Sequence, residues 1–198
     1  MNITSELVKT LRDKTQAGMM DCKEALKTAD GDMEKAIEYL RKKGLATAQK
    51  RAGRTTSQGQ IGSYIHAGGK IGVLVEVNCE TDFVGRTEQF GELVHNLAMH
   101  IAAANPVSVR REEMPAEILA KEREIYRAQA KESGKPEKVL EKIVEGKMEK
   151  YFKEFCLMEQ AYVKNPDITI TDLINEKVAQ IGENITIRRF TRYQLGEE

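Results

Sequence analysis

The spacing of apolar residues changes near residue 61, and this change constrains the fold more than any other feature of the sequence. Up to Gly44 the apolar residues recur every three or four positions, which is typical of amphipathic helices. From Ile61 to Cys79 they alternate with polar residues, as in a strand with one buried face. Helical spacing returns from Phe90 onward. The sequence therefore predicts an α+β fold.

Residues 1–44 are predicted to form three short helices. Thr4 is a good N-cap, with Ile3 and Val8 placed to close a hydrophobic staple across it. The "DGD" at 30–32 should cap the third helix, and Gly44 should end it. The predicted apolar stripes are Leu7, Val8 and Leu11; Met19, Cys22 and Leu26; and Met33, Ala36, Ile37 and Leu40. Helices this short are unstable alone, so we expect them to pack as one small bundle.

The rest of the chain is predicted as a linker followed by a core. Residues 45–60 are small, basic and interrupted by glycine, as linkers are. A hairpin follows, turning at "AGGK", with Ile71, Val73, Val75 and Val77 on one face, and then an amphipathic helix that carries Phe90, Leu93, Val94, Leu97 and Ile101. Residues 113–158 contain two highly charged helices around "SGKP", with narrow apolar stripes typical of an antiparallel, coiled-coil-like hairpin. A last helix, capped by Thr171 and ended by Gly182, precedes a strand that could complete the sheet.

Composition indicates a soluble protein without a dominant charge. The 198 residues carry 31 basic and 31 acidic side chains, so net charge gives no general attraction to nucleic acid or to anionic membranes. The three cysteines, Cys22, Cys79 and Cys156, are far apart, as expected of reduced thiols, and Cys22 and Cys156 fit buried helix positions. With no leader-like N-terminus and no apolar run long enough for a bilayer, we expect a cytoplasmic protein.

Catalytic motifs are weak, and the sequence predicts neither an enzyme nor a bound cofactor or metal. The "GGK" at 68–70 does not open a helix, and the "GKIG" at 69–72 has strands on both sides, so neither predicts a nucleotide or RNA loop. His95 and His100 are five positions apart and point in different directions on a helix, which argues against a shared metal. His66 has no acid or cysteine at a telling spacing. The carboxylates beside Cys79 should raise its thiol pKa. A small hydrolase is therefore a distant possibility.

A basic cluster leaves one alternative open. It consists of Arg41, Lys42, Lys43, Lys50, Arg51 and Arg54. These residues could bind phosphates in an RNA-binding accessory protein, although no aromatic residues are interleaved for base stacking. A solvated helix end followed by a linker, with cations near helix C-termini, is the favoured interpretation.

The stretch "ETDFVG", at 80–85, places a carboxylate and an aromatic ring together where the hairpin ends. Thr81 is a plausible helix cap, and Asp82 would complement the dipole of the helix that follows. Phe83 and Val84 could either pack that helix on the sheet or form a contact surface. The residues alone do not decide between these two roles.

The chain resembles the elongation factor Ts family, the guanine nucleotide exchange factors for elongation factor Tu. The strings "LVKTLRDKTQAGMMDCKEAL" at 7–26, "EVNCETDFV" at 76–84 and "IGENITIRR" at 181–189 carry the resemblance over nearly the whole length. Gln16 stands where the family usually has glycine, so we expect a slightly different turn there. A hairpin similar to the family's second core unit runs directly into the motif of the first, as in a short form with one core unit.

The resemblance implies a set of partner-binding residues. Thr81, Asp82, Phe83 and Val84 would insert near the magnesium and phosphate site of elongation factor Tu and promote GDP release. Arg12, Met19 and Met20 match the family's contacts from the N-terminal bundle, and His95 lies near the partner by position, although packing is the favoured role for it. No membrane and no specific nucleic acid are implied as partners.

We therefore predict three regions. These are a UBA-like bundle at 1–44, a linker at 45–60 and an exchange core at 61–198 that includes the helical hairpin at 113–158. The fused core makes a homodimer plausible, with a sheet edge or core helices at the interface.

Overall fold

The computed structural model describes residues 3–132 and 136–197. These residues divide into two compact units. The first unit holds the chain up to Gln60 together with Val77–Phe90 and Asp172–Thr186, and the second holds Ile61–Glu76, Gly91–Thr171 and the chain from Ile187 onward. None of the helices described is both long and apolar enough to cross a membrane.

Three helices at the start of the first unit form the predicted bundle: α1 (Ser5–Thr15), α2 (Met19–Thr28) and α3 (Met33–Arg51). Both predicted N-caps are confirmed. The Thr4 hydroxyl accepts from the Leu7 amide at 3.2 Å, and the Asp32 carboxylate accepts from two amides at the start of α3. The buried core between the helices consists of Val8, Leu11, Cys22, Ala25, Leu26, Ala29 and Ala36.

The prediction that Gly44 ends α3 is wrong, because the helix continues to Arg51. Residues 45–51 include two alanines and several long side chains that favour a helix, and this outweighs the roughly 1 kcal/mol cost of one glycine. Gly44 also lies close to Ala179, since a Cβ added at Gly44 would be 3.3 Å from the Ala179 Cβ. The first part of the predicted linker is therefore helical, while the predicted division into three regions stays a prediction.

Gln16 adopts the conformation for which a glycine is usually chosen. Its φ of 54° and ψ of 14° are left-handed, and its amide donates to the Arg12 carbonyl to close the end of α1. The Gln16 side chain also donates to the Asp13 carbonyl at 3.1 Å. A left-handed non-glycine residue costs about 1 kcal/mol, so this turn forms despite some local strain.

The main sheet has the order β1–β2–β5, with strands Gln58–Ile65, Ile71–Cys79 and Ile185–Gln194. The predicted hairpin is confirmed: the His66 amide donates to the Ile71 carbonyl, and Gly68 and Gly69 take positive φ in the turn. The predicted last strand is also confirmed, as β5 joins β2. On β2 the alternation is nearly complete, since Val73, Val75 and Val77 are buried while Leu74 is exposed.

Helix α5 (Glu88–Ala104) confirms the predicted amphipathic helix, and its five predicted apolar residues are all buried. In the second unit, α6 (Ala116–Lys131) and α7 (Glu137–Phe155) pack against each other as predicted. Their buried core comprises Met114, Ala130, Val144, Met148, Tyr151 and Cys156. Of the predicted "SGKP" turn, residues 133–135 lie outside the described residues.

The remaining elements were only partly predicted. Strands β3 (Ala161–Tyr162) and β4 (Asn165–Thr169) form a small antiparallel sheet that the sequence did not indicate. Helix α8 (Ile170–Ile181) begins before Thr171, so the predicted cap there is wrong: its hydroxyl donates to the Met158 carbonyl at 2.6 Å. Gly182, with φ of 85°, ends this helix as predicted. The α+β fold class is confirmed, with a helical bundle and an antiparallel sheet.

Gly62 marks the closest approach of β1 to α5. A Cβ added at Gly62 would lie 2.3 Å from the Val94 Cγ1 atom. We expect Gly62→Ala to reduce the free energy of unfolding by about 1–3 kcal/mol, since one of the packed elements must shift. Urea unfolding followed by circular dichroism measures this loss.

Gly146 provides the matched control for this substitution. It is exposed on α7, and an added Cβ would meet nothing within 4 Å. We expect Gly146→Ala to stabilise the protein by about 0.5–1 kcal/mol through helix propensity. Equal effects of the two substitutions would contradict the close approach at Gly62.

Candidate functional site

The Thr81–Val84 segment forms a short turn immediately after β2. Thr81 is extended, and its hydroxyl accepts from the Val84 amide at 3.4 Å, which caps the single helical turn α4 (Asp82–Gly85). The predicted cap is therefore confirmed. A backbone turn capped in this way fixes the directions in which the Asp82 and Phe83 side chains point away from the backbone.

The side chains of this turn separate into exposed and buried ones. Phe83 is 81% exposed, whereas Val84 is 7% exposed and the following Gly85 is buried. Phe83 therefore does not pack the helix on the sheet, which was one of its two predicted roles. Val84 fills that structural role instead. A large apolar ring left in water is characteristic of a contact surface for another molecule.

Glu183 holds the base of the turn. Its Oε2 atom accepts from the Glu80 amide at 3.1 Å and from the Thr81 amide at 3.0 Å. Its Oε1 atom accepts from the Thr81 hydroxyl at 2.6 Å. Hydrogen bonds to an ionised carboxylate are about twice as strong as neutral ones, so Glu183 is the main restraint on the start of this segment.

Glu80 and Asn184 form a second, reciprocal connection between the same two stretches. The Asn184 amide donates to Glu80 Oε1 at 2.6 Å, and Arg54 pairs with Glu80 Oε2 at 3.3 Å. The Asn184 side chain donates to the Arg54 carbonyl at 2.8 Å. The Asn184 hydrogen bond, followed by that of Arg54, holds the pKa of Glu80 below its usual value.

Beneath the turn lies the buried Cys79. Its thiol donates to the Thr81 carbonyl at 3.1 Å, and burial followed by the nearby Glu183 charge raises its pKa. The predicted direction is confirmed: of the two carboxylates that were expected to act, Asp82 contributes and Glu80 does not, and Glu183 contributes more than Asp82. A protonated, buried thiol is a poor nucleophile, which argues against a cysteine hydrolase.

Asp82 is held only loosely. Its carboxylate pairs with Arg86 one turn later, at 2.6 Å between Oδ2 and Nη2, and both side chains are largely exposed. Exposed pairs of this kind contribute only about 0–1 kcal/mol. Asp82 can therefore exchange Arg86 for another hydrogen-bonding or charged partner at little cost.

The predicted contact residues of the bundle are exposed at one end of it. Arg12 lies in the last turn of α1, and Met19 and Met20 begin α2, after a connection of only three residues. Met19 is 59% and Met20 74% exposed, so the prediction that Met19 belongs to the core stripe is wrong. Two adjacent exposed methionines provide an adaptable apolar surface.

The histidines have separate roles. His95 is exposed on α5, with its ring edge-on to that of Tyr64 at 5.8 Å between centroids, and it belongs to the second unit. His100 is fully buried, accepts from the Val163 amide and hydrogen bonds with Gln160. Burial lowers the pKa of His100, in agreement with a neutral structural histidine. Across residues 3–132 and 136–197, no three His, Cys, Asp or Glu side chains are arranged to hold a metal ion.

The basic cluster is largely neutralised. Four of its six residues form ion pairs: Arg41 with Asp172 (3.6 Å), Lys42 with Glu38 (2.7 Å), Lys43 with Asp21 (2.9 Å) and Glu24 (2.5 Å), and Arg54 with Glu80 (3.3 Å). Cations already paired with carboxylates give a weaker field for phosphates. This arrangement disfavours an RNA-binding surface here.

Comparison with known proteins identifies the family of the chain. The family described as "Elongation factor TS" matches residues 1–197. Elongation factor Ts from Moorella thermoacetica is 64% identical over 190 residues, which cover 96% of this chain and 94% of that protein. Elongation factor Ts from Desulfosudis oleivorans is 62% identical over 195 residues, covering 98% of both chains.

One compact unit therefore carries both an exposed aromatic side chain on a firmly held turn and a bundle with exposed methionines, and these side chains are accessible to another macromolecule. With a family match over residues 1–197, the chain belongs to the elongation factor Ts family.

Sequence reasoning missed Glu183 and Asn184 as parts of the site. Both lie in the "IGENITIRR" string that carried the resemblance, which was the available signal. Their contacts join residues more than 100 positions apart, and apolar spacing carries no information about such pairs. The Asp82–Arg86 pair was also missed, although an aspartate four positions before an arginine is its signal in the sequence.

The lowered pKa of Glu80 predicts a specific acid sensitivity. A glutamate in an unfolded chain has a pKa of about 4.3. Because the folded pKa is lower, the unfolded state binds more protons in this range, and stability is lost as the pH falls through it. We expect Glu80→Gln to flatten the loss of stability between about pH 5 and pH 3.

Urea unfolding at a series of pH values measures this slope. The exposed Glu112 provides the control, since Glu112→Gln should leave the slope as in the wild type. A slope unchanged by Glu80→Gln would contradict the proposed role of the Asn184 hydrogen bond.

Proposed function

We propose that this protein promotes GDP release from elongation factor Tu during translation elongation, by inserting the Thr81–Val84 segment near the partner's magnesium and phosphate site. Membership of the elongation factor Ts family supports the exchange role. The observation that carries the insertion mechanism is Phe83, which is 81% exposed on a turn held by Glu183. Each residue of this segment makes a different contribution.

Phe83 acts as the apolar anchor. Its ring makes little contact within its own chain, so binding buries nearly the whole side chain as new apolar surface. The ring projects from a turn that is already ordered, so little further conformational entropy is lost on insertion. An aromatic anchor of this kind can separate packed elements of the partner when it enters between them.

Asp82 contributes charge next to the anchor. Its weak pairing with Arg86 leaves the carboxylate ready to accept hydrogen bonds from the partner. Magnesium neutralises the charge of the nucleotide phosphates. A new carboxylate nearby therefore disturbs the partner's hold on the ion and, with it, on the nucleotide. Thr81 shapes the turn through its cap, and Val84 anchors it from below.

The bundle makes the first contact with the partner. Met19 and Met20 provide exposed, flexible apolar surface, and Arg12 adds a charge at the same end. The bundle and the Thr81–Val84 segment belong to one compact unit. His95, which is exposed, is a further proposed contact.

This activity involves no covalent chemistry. A factor that weakens GDP binding to its partner must itself be bound more weakly in the presence of GDP, by the same factor. The protein therefore acts as a catalyst of exchange, through the energy of its own binding. No bound cofactor is needed for this role.

Phe83→Ala tests the insertion. We expect roughly 30- to 1000-fold weaker action on the complex of elongation factor Tu with GDP, since losing an anchor costs on the order of 2–4 kcal/mol. Release of a fluorescent GDP in a stopped-flow instrument measures the rate. Stability should change by less than about 0.5 kcal/mol, because the ring is exposed.

Ile125→Ala is the matched control, because Ile125 is also an exposed apolar residue but lies on the helical hairpin. It should retain the wild-type rate. If wild-type protein does not accelerate release, the exchange function is wrong. If Phe83→Ala retains full activity, exchange stands but the insertion mechanism does not.

We also propose a homodimer. Large side chains are exposed on all three strands of the main sheet, namely Ile61, Ile65, Leu74 and Tyr193, and Leu195 is exposed directly after the last strand. An apolar sheet surface of this kind favours association with a second copy.

We expect a dimer by sedimentation velocity at micromolar concentration and a monomer after Leu74→Lys. The exposed Val163 lies outside these strands, so Val163→Lys should leave the dimer intact. A monomeric wild type would exclude the proposal.

A further inference from the structure

We propose that Glu183 is a positioning residue for nucleotide exchange, which acts by fixing the direction in which Phe83 leaves the chain. The inference rests on the function proposed above and extends it to a residue that does not itself belong to the inserted segment. Glu183 lies just after Gly182, where α8 ends, and just before β5.

The Glu183 carboxylate determines how the Thr81 hydroxyl is used. A hydroxyl has one proton, and that of Thr81 is donated to Glu183 Oε1 at 2.6 Å. The lone pairs of the same oxygen are therefore left to accept from the Val84 amide at 3.4 Å. The cap of α4 thus depends on Glu183, and the direction of Phe83 depends on that cap.

Glu183 also fixes the backbone that leads into the turn. Its Oε2 atom accepts from two successive amides, those of Glu80 and Thr81. The neighbouring Asn184 donates its amide to Glu80 and its side chain to the Arg54 carbonyl, so the stretch that carries Glu183 is itself restrained. The carboxylate therefore cannot easily follow the turn if the turn moves.

Phe83 depends on this restraint because it is 81% exposed. A ring in water has few packing contacts to hold its direction, so the backbone of residues 81–84 must do so. Without Glu183 the turn samples more conformations, and the cost of ordering it again is added when the segment enters the partner. The first contact, made by the bundle, does not include this cost.

The effect should therefore fall on the maximal rate of exchange. With Glu183→Ala we expect the rate of GDP release at saturating factor to fall about 10-fold, while the half-saturating concentration changes less than about 3-fold. With Glu183→Gln we expect at least half of the wild-type maximal rate. The glutamine oxygen can still accept from both amides, and its NH₂ group can donate to the Thr81 hydroxyl.

Asp32→Ala is the control for general destabilisation. The Asp32 carboxylate also accepts from two backbone amides in the first unit, but it caps α3. This variant should lose stability and yet retain the wild-type maximal rate. If Asp32→Ala slows exchange as much as Glu183→Ala does, the effect of Glu183 is only structural and the proposal is overturned.

Combination with Phe83→Ala tests whether Glu183 acts through the ring. If it does, the double variant should exchange GDP no more than about 2-fold more slowly than Phe83→Ala alone. If the double variant instead loses activity by the product of the two single-variant fold-changes, Glu183 acts independently of Phe83. That result would overturn the proposal. Full activity of Glu183→Ala beside a slow Phe83→Ala would reject this inference alone, whereas an inactive wild type would reject the exchange function itself.

Discussion

The structure of the site depends on two carboxylates that hold the end of β2 to the start of β5. Each carboxylate belongs to one of these two stretches and accepts hydrogen bonds from backbone amides of the other. Glu183 accepts from the amides of residues 80 and 81, and Glu80 accepts from the amide of Asn184. Each carboxylate satisfies backbone donors at a point where neighbouring strands give way to a turn. The amides of Glu80 and Asn184 are partly shielded from water here, and a fully buried donor left without a partner costs about 1–3 kcal/mol. The two carboxylates therefore stabilise the junction and also fix the turn that carries Phe83.

This arrangement allows a protein to keep an apolar ring in water without losing its fold. Phe90, seven residues after Phe83, is fully buried and contributes to the core in the usual way. Phe83 contributes almost nothing to folding, and the turn beneath it is held by hydrogen bonds and by Val84. Folding and partner contact thus rely on different side chains within one short stretch, so Phe83 can be replaced with little effect on the fold.

Much of the fold could be predicted because its signals are local. Thr4 and Asp32 cap helices within three residues of themselves, and the alternation of Val73, Val75 and Val77 identifies a strand from its own sequence. Predictions failed where tertiary context decided the outcome. Gly44 did not end its helix, and Thr171 donates to the distant Met158 carbonyl instead of capping. The segment at 81–84 was found by its resemblance to a family, whereas the residue that holds it, Glu183, is 102 positions away from Thr81.

The buried Cys79 gives the site a built-in chemical probe. Its thiol is fully buried and donates to the Thr81 carbonyl at the start of the turn. A thiol reagent therefore reaches it only when this part of the structure opens locally. The rate of labelling at Cys79 therefore measures the equilibrium between closed and open forms of this segment, in the same way as amide hydrogen exchange measures local opening. Cys22 and Cys156, buried in separate cores, report the opening of the bundle and of the helical hairpin in the same experiment. A single modification time course, resolved by peptide mapping, thus ranks the local stabilities of three parts of the molecule.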